Sequence, residues 1–302
     1  MRAIVIEEFG GVEQLTLKEV DKPVLKPNRM LVEQYATSVN PIDVKRRKGS
    51  FGGKLPMIVG GDVAGVVTEV GDDVTDFQIG DRVMANGAKT YAEIVSVNPD
   101  RAVKLADTVA FEHAAALPLA GQTAYEAIVT RAKVESGDRV LVHGGSGGVG
   151  SIAVQIAKLK GAWVASTASG ENQELLESLG ADRPINYKEE KFEDSLSDLD
   201  VVFDTIGGDV QKNSFRVLKE KGRLVSIAEE PDKDLQIKQV DASYFSFSPK
   251  KESLEELNRW LTDSQLQPVI SHVYSFTEEE VREAHKVSET GHAGGKLIIT
   301  FK

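Results

Sequence analysis

Cysteine is absent from all 302 residues. That excludes disulfides, thiolate nucleophiles and every cysteine-based zinc site, and it makes a reducing, cytoplasmic setting the expectation. Long apolar runs are missing too. None approaches the roughly 18 residues of a membrane span, and the opening MRAIVIEEFGG lacks the basic-then-apolar order of a signal peptide. Basic residues are outnumbered, 36 against 47 acidic, and the net charge of -11 argues against nucleic acid or an anionic membrane as partner. Neither an internal repeat nor a low-complexity tract interrupts the chain. Its five histidines, His113, His143, His272, His285 and His292, show no ligand spacing.

What is present is the composition of a globular protein, 41% apolar and 27% charged, at a length suited to about two domains. Residues 1 to about 118 read as short strands separated by Gly, Pro, Asn and Asp: MRAIVIEEF, QLTLKEV, MLVEQYATSV, VAGVVTEV, DRVMAN and TYAEIVSV. From about 120 to 247 the rhythm changes to strand and helix in alternation. RVLVHG, AWVASTAS, DLDVVFDTIG and RLVSIA read as strands; SIAVQIAKLKG, ENQELLESLG and VQKNSFRVLKEKG read as helices. That is the pattern of a parallel sheet covered on its faces. The remainder offers SLEELNRWLTD, PVISHVYSF, EEEVREAHKVSE and KLIITF as helix, strand, helix and strand, with a Thr277–Glu280 capping box before the second helix.

One stretch carries chemistry on its face. VLVHGGSGGVG, Val140 to Gly150, contains G-x-G-x-x-G at Gly145, Gly147 and Gly150, after a strand and before a helix whose Val149, Ala153, Ile156 and Ala157 share one face. Such a turn brings backbone N–H groups to a dinucleotide's diphosphate at a helix start. Gly145, Ser146, Gly147, Gly148, Val149 and Gly150 are the candidate diphosphate residues. His143 is expected to end its strand beside this turn. The next strand, AWVASTAS, ends on Ala168 and Ser169, without the carboxylate that grips a ribose 2′-hydroxyl in NAD sites. NADPH is therefore expected ahead of NADH, although Glu171 lies two residues on and a bent loop could bring it back.

With these residues in hand the chain resembles the zinc-free quinone oxidoreductase branch of the medium-chain dehydrogenase/reductases, which includes alkenal and enone reductases. The resemblance rests on SVNPIDVKRRKG, VGGDVAGVVTEVG, FQIGDRV, AALPLAGQTAYEAI, HGGSGGVGSIAVQIAK, LGADRPINY, VVFDTIGG and GGKLII, in that order over nearly the whole length. It implies a doubly wound Rossmann domain, residues 119–247, inserted in a mostly antiparallel, partly open GroES-like β-barrel domain, residues 1–118 plus 248–302, with the active site in the cleft. Where zinc relatives carry cysteine and a His-Glu pair, this chain reads Asn40 and Gly61-Asp62, so no zinc is expected and alcohol oxidation through a metal alkoxide is disfavoured. Hydride transfer to a quinone or an α,β-unsaturated carbonyl is the expected reaction, with a small apolar substrate.

The resemblance also implies residues. Asn40 and Thr123 would lie at the nicotinamide end, against structural readings of Asn40 as a turn residue before Pro41 and of Thr123 as a helix-opening hydroxyl. Ser169 and Tyr187 would meet the adenosine 2′-phosphate. Thr205, Ile206 and Ile227 fall at strand ends, where ligands of open α/β sheets gather. Relatives often carry tyrosines where this chain has Val44, Lys45 and Phe51; Tyr91, Lys45 or a water is then the candidate proton donor. The basic run KRRK reads as a solvated face, with Lys45 the residue expected to turn inwards. A homodimer is implied, with Ser243–Ser248 as the joining strand. A non-catalytic NADPH-binding sensor is the alternative.

Overall fold

The computed structural model describes residues 1–232 and 238–301. The chain divides into two compact units, Met1–Gln122 with Pro249–Lys302, and Thr123–Ser248.

The first unit begins with β1 (Arg2–Ile6), β2 (Thr16–Glu19), β3 (Met30–Val39) and β4 (Met57–Ile58). It continues with β5 (Asp62–Val70), β6 (Arg82–Asn86), β7 (Ile94–Val97) and β8 (Ala102–Lys104). The second unit holds β9 (Arg139–Val142), β10 (Trp163–Ala168), β11 (Arg183–Asn186), β12 (Leu199–Asp204), β13 (Leu218–Ser226) and β14 (Asp241–Tyr244). The chain then returns to the first unit for β15 (Ile270–Ser275) and β16 (Lys296–Thr300). The helices that matter below are α1 (Pro41–Arg47), α2 (Ala120–Tyr125), α3 (Gly150–Leu159), α4 (Gly208–Val217) and α5 (Glu278–Glu289).

In the first unit, β2-β1-β4 form an antiparallel sheet, and β15-β16-β3-β5-β6-β8 form a larger one with β7 also paired to β3. Among the described residues only β15 and β16 run parallel there. The larger sheet has β15 and β8 as its end strands, so its hydrogen bonding does not close on itself. The valine-rich runs give this sheet its core: Met30, Val32, Val63, Val67, Val83, Val95 and Val97 pack with Phe77. A second core joins β1 and β16 to α5, through Ile4, Ile6, Leu297, Ile299, Val281 and Ala284.

The second unit is one parallel sheet of order β11-β10-β9-β12-β13-β14. Numbered from its own first strand this reads 3-2-1-4-5-6, the doubly wound order that opens a ligand crevice where the strand order reverses. β12 is buried along its whole length, and α3 buries Ala153, Ile156 and Ala157. Burial on both faces explains why these strands read as continuous apolar runs rather than alternations.

Three local readings change. LKEKG belongs to β13 and not to the preceding helix, which ends at Val217. The sheet's end strand is Asp241–Tyr244, earlier than the Ser243–Ser248 segment, because β14 pairs Ser226 with Tyr244 and extends no further. Thr123 lies inside α2 rather than opening a helix, and α2 runs on into a π-helical turn, Glu126–Arg131.

Candidate active site

The glycine-rich turn spans His143 to Val149, between β9 and α3. Gly144 has a φ of +66°, and a Cβ on Gly145 would stand 1.9 Å from the Ser166 hydroxyl. A Cβ on Gly150 would stand 2.2 Å from the Gly144 carbonyl oxygen. Side chains are therefore excluded at the positions where turn, strand and helix meet. The turn is tied to β10: the Gly145 N–H donates to the Thr167 carbonyl at 2.9 Å, and the Gly144 N–H to the Thr167 hydroxyl at 3.2 Å. Among the described residues no acceptor takes the N–H of Ser146, Gly148 or Val149. Unpaired donors at the start of a ten-residue helix fit an anionic diphosphate. On this geometry the cradle fits a dinucleotide.

His143 supports the turn from behind. It is buried, with Nδ1 3.2 Å from the Thr167 hydroxyl and Nε2 3.0 Å from that of Ser214. Burial pushes its pKa down to about 4, so the ring is neutral near pH 7. Next to it, β12 ends on Asp204, whose carboxylate accepts from the N–H groups of Ile206 and Gly207 at 2.9 Å each, from Gln211 at 3.1 Å and from the Ser226 hydroxyl at 2.8 Å. This one buried acid shapes the turn that carries Thr205 and Ile206. Thr205 donates to the His143 carbonyl at 2.8 Å, and Ile206 stands exposed beyond it. The Ile227 N–H bonds the Asp204 carbonyl at 3.1 Å, placing Ile227 on the neighbouring strand end. β10 and β11 pair Ala168 with Asn186, so Ser169 and Tyr187 emerge side by side, Ser169 buried and Tyr187 exposed.

In the first unit the polar residues are buried side chains. Asn40 caps α1 ahead of Pro41, and its N–H donates to Asp43 Oδ2 at 3.0 Å. Its side-chain amide is fully engaged: Nδ2 donates to Asp62 Oδ2 at 2.7 Å and to the Ser38 hydroxyl at 3.3 Å, while Oδ1 accepts from Lys296 Nζ at 2.5 Å. Asp62 also accepts from the Ser38 hydroxyl and, at 2.9 Å, from the Leu119 N–H. Desolvation raises the Asp43 carboxyl to about 7, against the lowering pull of the Asn40 N–H, and its Oδ1 has no partner. Burial likewise lowers the Lys296 ammonium below the usual lysine range, partly offset by Asp62 and Asp43. Near pH 7 Asp43 is thus close to half-protonated.

The two candidate proton donors, Tyr91 and Lys45, lie in opposite environments. Tyr91 has no exposed surface; its hydroxyl meets His285 Nε2 at 3.2 Å in the core beside α5, and burial holds its pKa well above the ordinary phenol value. Lys45 is exposed. Helical spacing turns Asp43, Val44 and Arg47 inwards on α1, so the buried member of KRRK is Arg47. Arg47 binds His285 Nδ1 at 3.2 Å, the Gly10 carbonyl at 3.2 Å and the Glu289 carboxylate. His285 is accordingly a buried packing residue, and burial lowers its pKa to about 3. Thr123 is buried in α2.

Reading the sequence missed Asp43, Arg47, Asp204 and Lys296. Two left signals: an acid closing the apolar run VVFD before a glycine turn, and a lysine opening the apolar strand KLIIT. Among the described residues no three His, Cys, Asp or Glu side chains gather as a metal site requires.

Comparison with known proteins gives two family matches, the alcohol dehydrogenase GroES-like domain over residues 26–107 and a zinc-binding dehydrogenase model over residues 179–299. The chain is 37% identical to the chloroplastic NADPH-dependent alkenal/one oxidoreductase of Arabidopsis thaliana, over 99% of this chain and 79% of that protein. It is 31% identical to the quinone oxidoreductase of Homo sapiens, covering 99% and 97%. Among solved structures, the quinone oxidoreductase from Coxiella burnetii superposes with a TM-score of 0.93 at 36% identity, over 100% of this chain and 99% of that one.

Proposed function

The chain belongs to the zinc-free quinone and alkenal reductase branch of the medium-chain dehydrogenase/reductase superfamily, and from that premise we propose that it transfers hydride from NADPH to carbon of a quinone or an α,β-unsaturated carbonyl. The observation that carries the reading is the glycine turn at β9, where side chains are sterically excluded and N–H groups stand unpaired at a helix start. Ser146 to Gly150 hold the diphosphate; Thr205, Ile206 and Ile227 border the crevice at the strand ends; Ser169 and Tyr187 border the adenosine ribose. When bound, the reduced nicotinamide supplies the hydride. The acceptor's electrons delocalise into its carbonyl, so no Lewis acid is needed for the step.

Asn40 acts as a positioning residue, since every polar atom of its side chain is already spent on Asp62, Ser38 and Lys296. With Tyr91 buried and Lys45 on the surface, water is the proton source for the reduced acceptor. We take Thr123–Ser248 as the dinucleotide domain and the rest as the acceptor domain. The end strand β14 is the proposed dimer edge, which light scattering tests directly. No described helix is long and apolar enough to cross a membrane, and we take the cytoplasm as the compartment.

Anaerobic stopped-flow mixing with NADPH and a panel of quinones and enones tests the activity. Cofactor oxidation by at least one acceptor, unchanged after dialysis against a chelator, is expected. Cofactor binding without turnover on any acceptor would replace the enzyme by a sensor; the alkenal reductase in the comparison favours including short enals in the panel.

A further inference from the structure

The end of β10 bears on which cofactor the site accepts, provided that the glycine turn holds a dinucleotide as proposed. After Ala168 the chain turns at Ser169 into a short 3-10 turn, Gly170–Asn172. That turn carries Glu171 back over the strand end, where the Ser169 hydroxyl donates to Glu171 Oε1 at 2.9 Å and accepts from Asn172 Nδ2 at 2.9 Å. The loop is fixed by Gln173, whose side chain donates to the carbonyls of Ala168 at 3.2 Å and Ser169 at 3.0 Å, and by the Asn172 N–H on the Ser169 carbonyl at 3.0 Å. Glu171 is itself exposed, and among the described residues it forms no ion pair. The tyrosine expected at the ribose, Tyr187, is anchored beside this turn by its N–H on the Ala168 carbonyl at 3.2 Å.

Donor and acceptor chemistry then separates the two cofactors. The only proton on the Ser169 hydroxyl already points at a carboxylate. A ribose 2′-hydroxyl can donate to that carboxylate and complete the set. A 2′-phosphate is acceptor-only and carries negative charge, so it faces a like charge with no spare donor from Ser169. We propose that Glu171 is a cofactor-specificity residue, which disfavours the 2′-phosphate and lets NADH serve beside NADPH. The absence of a carboxylate on the strand itself is thus compensated from the following turn.

Calorimetric titration with adenosine 2′,5′-bisphosphate and with 5′-AMP isolates the effect from catalysis. In Glu171→Gln, affinity for the bisphosphate is expected to rise roughly ten-fold, the size of one screened like-charge contact, while 5′-AMP changes less than about two-fold. The ratio of kcat/KM for NADPH over NADH should rise by a similar factor, and Glu171→Lys should raise it further. The urea midpoint should stay unchanged, because the side chain is exposed. An equal change for both fragments, or no change for either, overturns the assignment of Glu171. A wild-type protein that binds neither fragment and oxidises neither cofactor overturns the dinucleotide reading, and the role of Glu171 with it.

Discussion

The two units solve the same problem, holding polar groups away from water, by opposite means. In Thr123–Ser248 the groups proposed to hold the cofactor are backbone N–H donors at a strand end, left open where side chains are excluded at Gly145 and Gly150. In the first unit the polar groups are ionisable side chains, sealed in and bonded to one another: Asp62, Asp43 and Lys296 around Asn40, and Arg47 with His285 against Tyr91. Peptide dipoles keep their polarity without ionising, so the donors themselves are indifferent to pH, while the buried His143 ring behind them titrates. Buried ionisable groups must keep their charges matched, so the second arrangement is not indifferent.

The largest effect expected from breaking this contrast is at Arg47. Arg47→Met strips a fully buried guanidinium from His285, the Gly10 carbonyl and Glu289. Losing it leaves the His285 Nδ1 and Gly10 carbonyl groups without their donor, at about 1–3 kcal/mol for each buried group left unsatisfied. The urea midpoint should fall accordingly, and a shift corresponding to less than about 1 kcal/mol would show that this network does not lock α5 in place.

Gly150→Ala is the counterpart in the second unit. Its Cβ would meet the Gly144 carbonyl oxygen at 2.2 Å, so the backbone must move rather than a flexible side chain. Overpacking of this kind costs about 1–3 kcal/mol. The displaced turn should weaken dinucleotide binding by more than about ten-fold, measured by calorimetry. Unimpaired binding would move the diphosphate away from this turn.

The difference between the units also decides what can be read from sequence. The glycine turn is contiguous: strand, glycines and helix lie within Val140 to Ala157, and each residue's conformation follows from its neighbours. The doubly wound order follows from the same alternation of strand and helix. The first unit's cluster is assembled by pairing β3 with β5 and β16. Lys296 reaches Asn40 across 256 residues, and Arg47 reaches His285 across 238. No local spacing announces such contacts. A basic run therefore reads as solvated although one member is buried, and a tyrosine in a short loop reads as reachable although it is core. Where the signal was local but ambiguous, as for Glu171 two residues past Ser169, only the loop's hydrogen bonds decide which way the carboxylate turns.

Titration sharpens the contrast at the scale of single protons. Asp43 is raised in the fold to about 7 from 3.8, so between these values the folded chain keeps a proton that the unfolded chain loses, and stability falls as pH rises. His143 and His285 are lowered to about 4 and about 3 from 6.5, so the unfolded chain takes up their protons first, and stability falls as pH drops below 6.5. Across pH 5 to 6, one effect opposes two. Each is worth up to about 1.4 kcal/mol per pH unit. Asp43→Asn should therefore steepen the rise of stability with pH by about one proton's worth, and His285→Gln should flatten it by the same amount. Urea midpoints at a series of pH values read both slopes; parallel curves for wild type and Asp43→Asn would mean that Asp43 is not protonated in the fold.

The smallest effect belongs to Lys45. It shares α1 with Arg47, two positions away, yet α1 turns Asp43, Val44 and Arg47 inwards and leaves Lys45 exposed. An exposed lysine without a described ion pair contributes within about 0.5 kcal/mol. Lys45→Ala should leave the urea midpoint and the rate of NADPH oxidation essentially unchanged, while Arg47→Met destabilises. A ten-fold loss of turnover in Lys45→Ala, at unaltered stability, would instead make this lysine the proton donor and displace water from that part. The pair of neighbouring cations thus tests, on a single short helix, whether burial or charge governs what the first unit contributes.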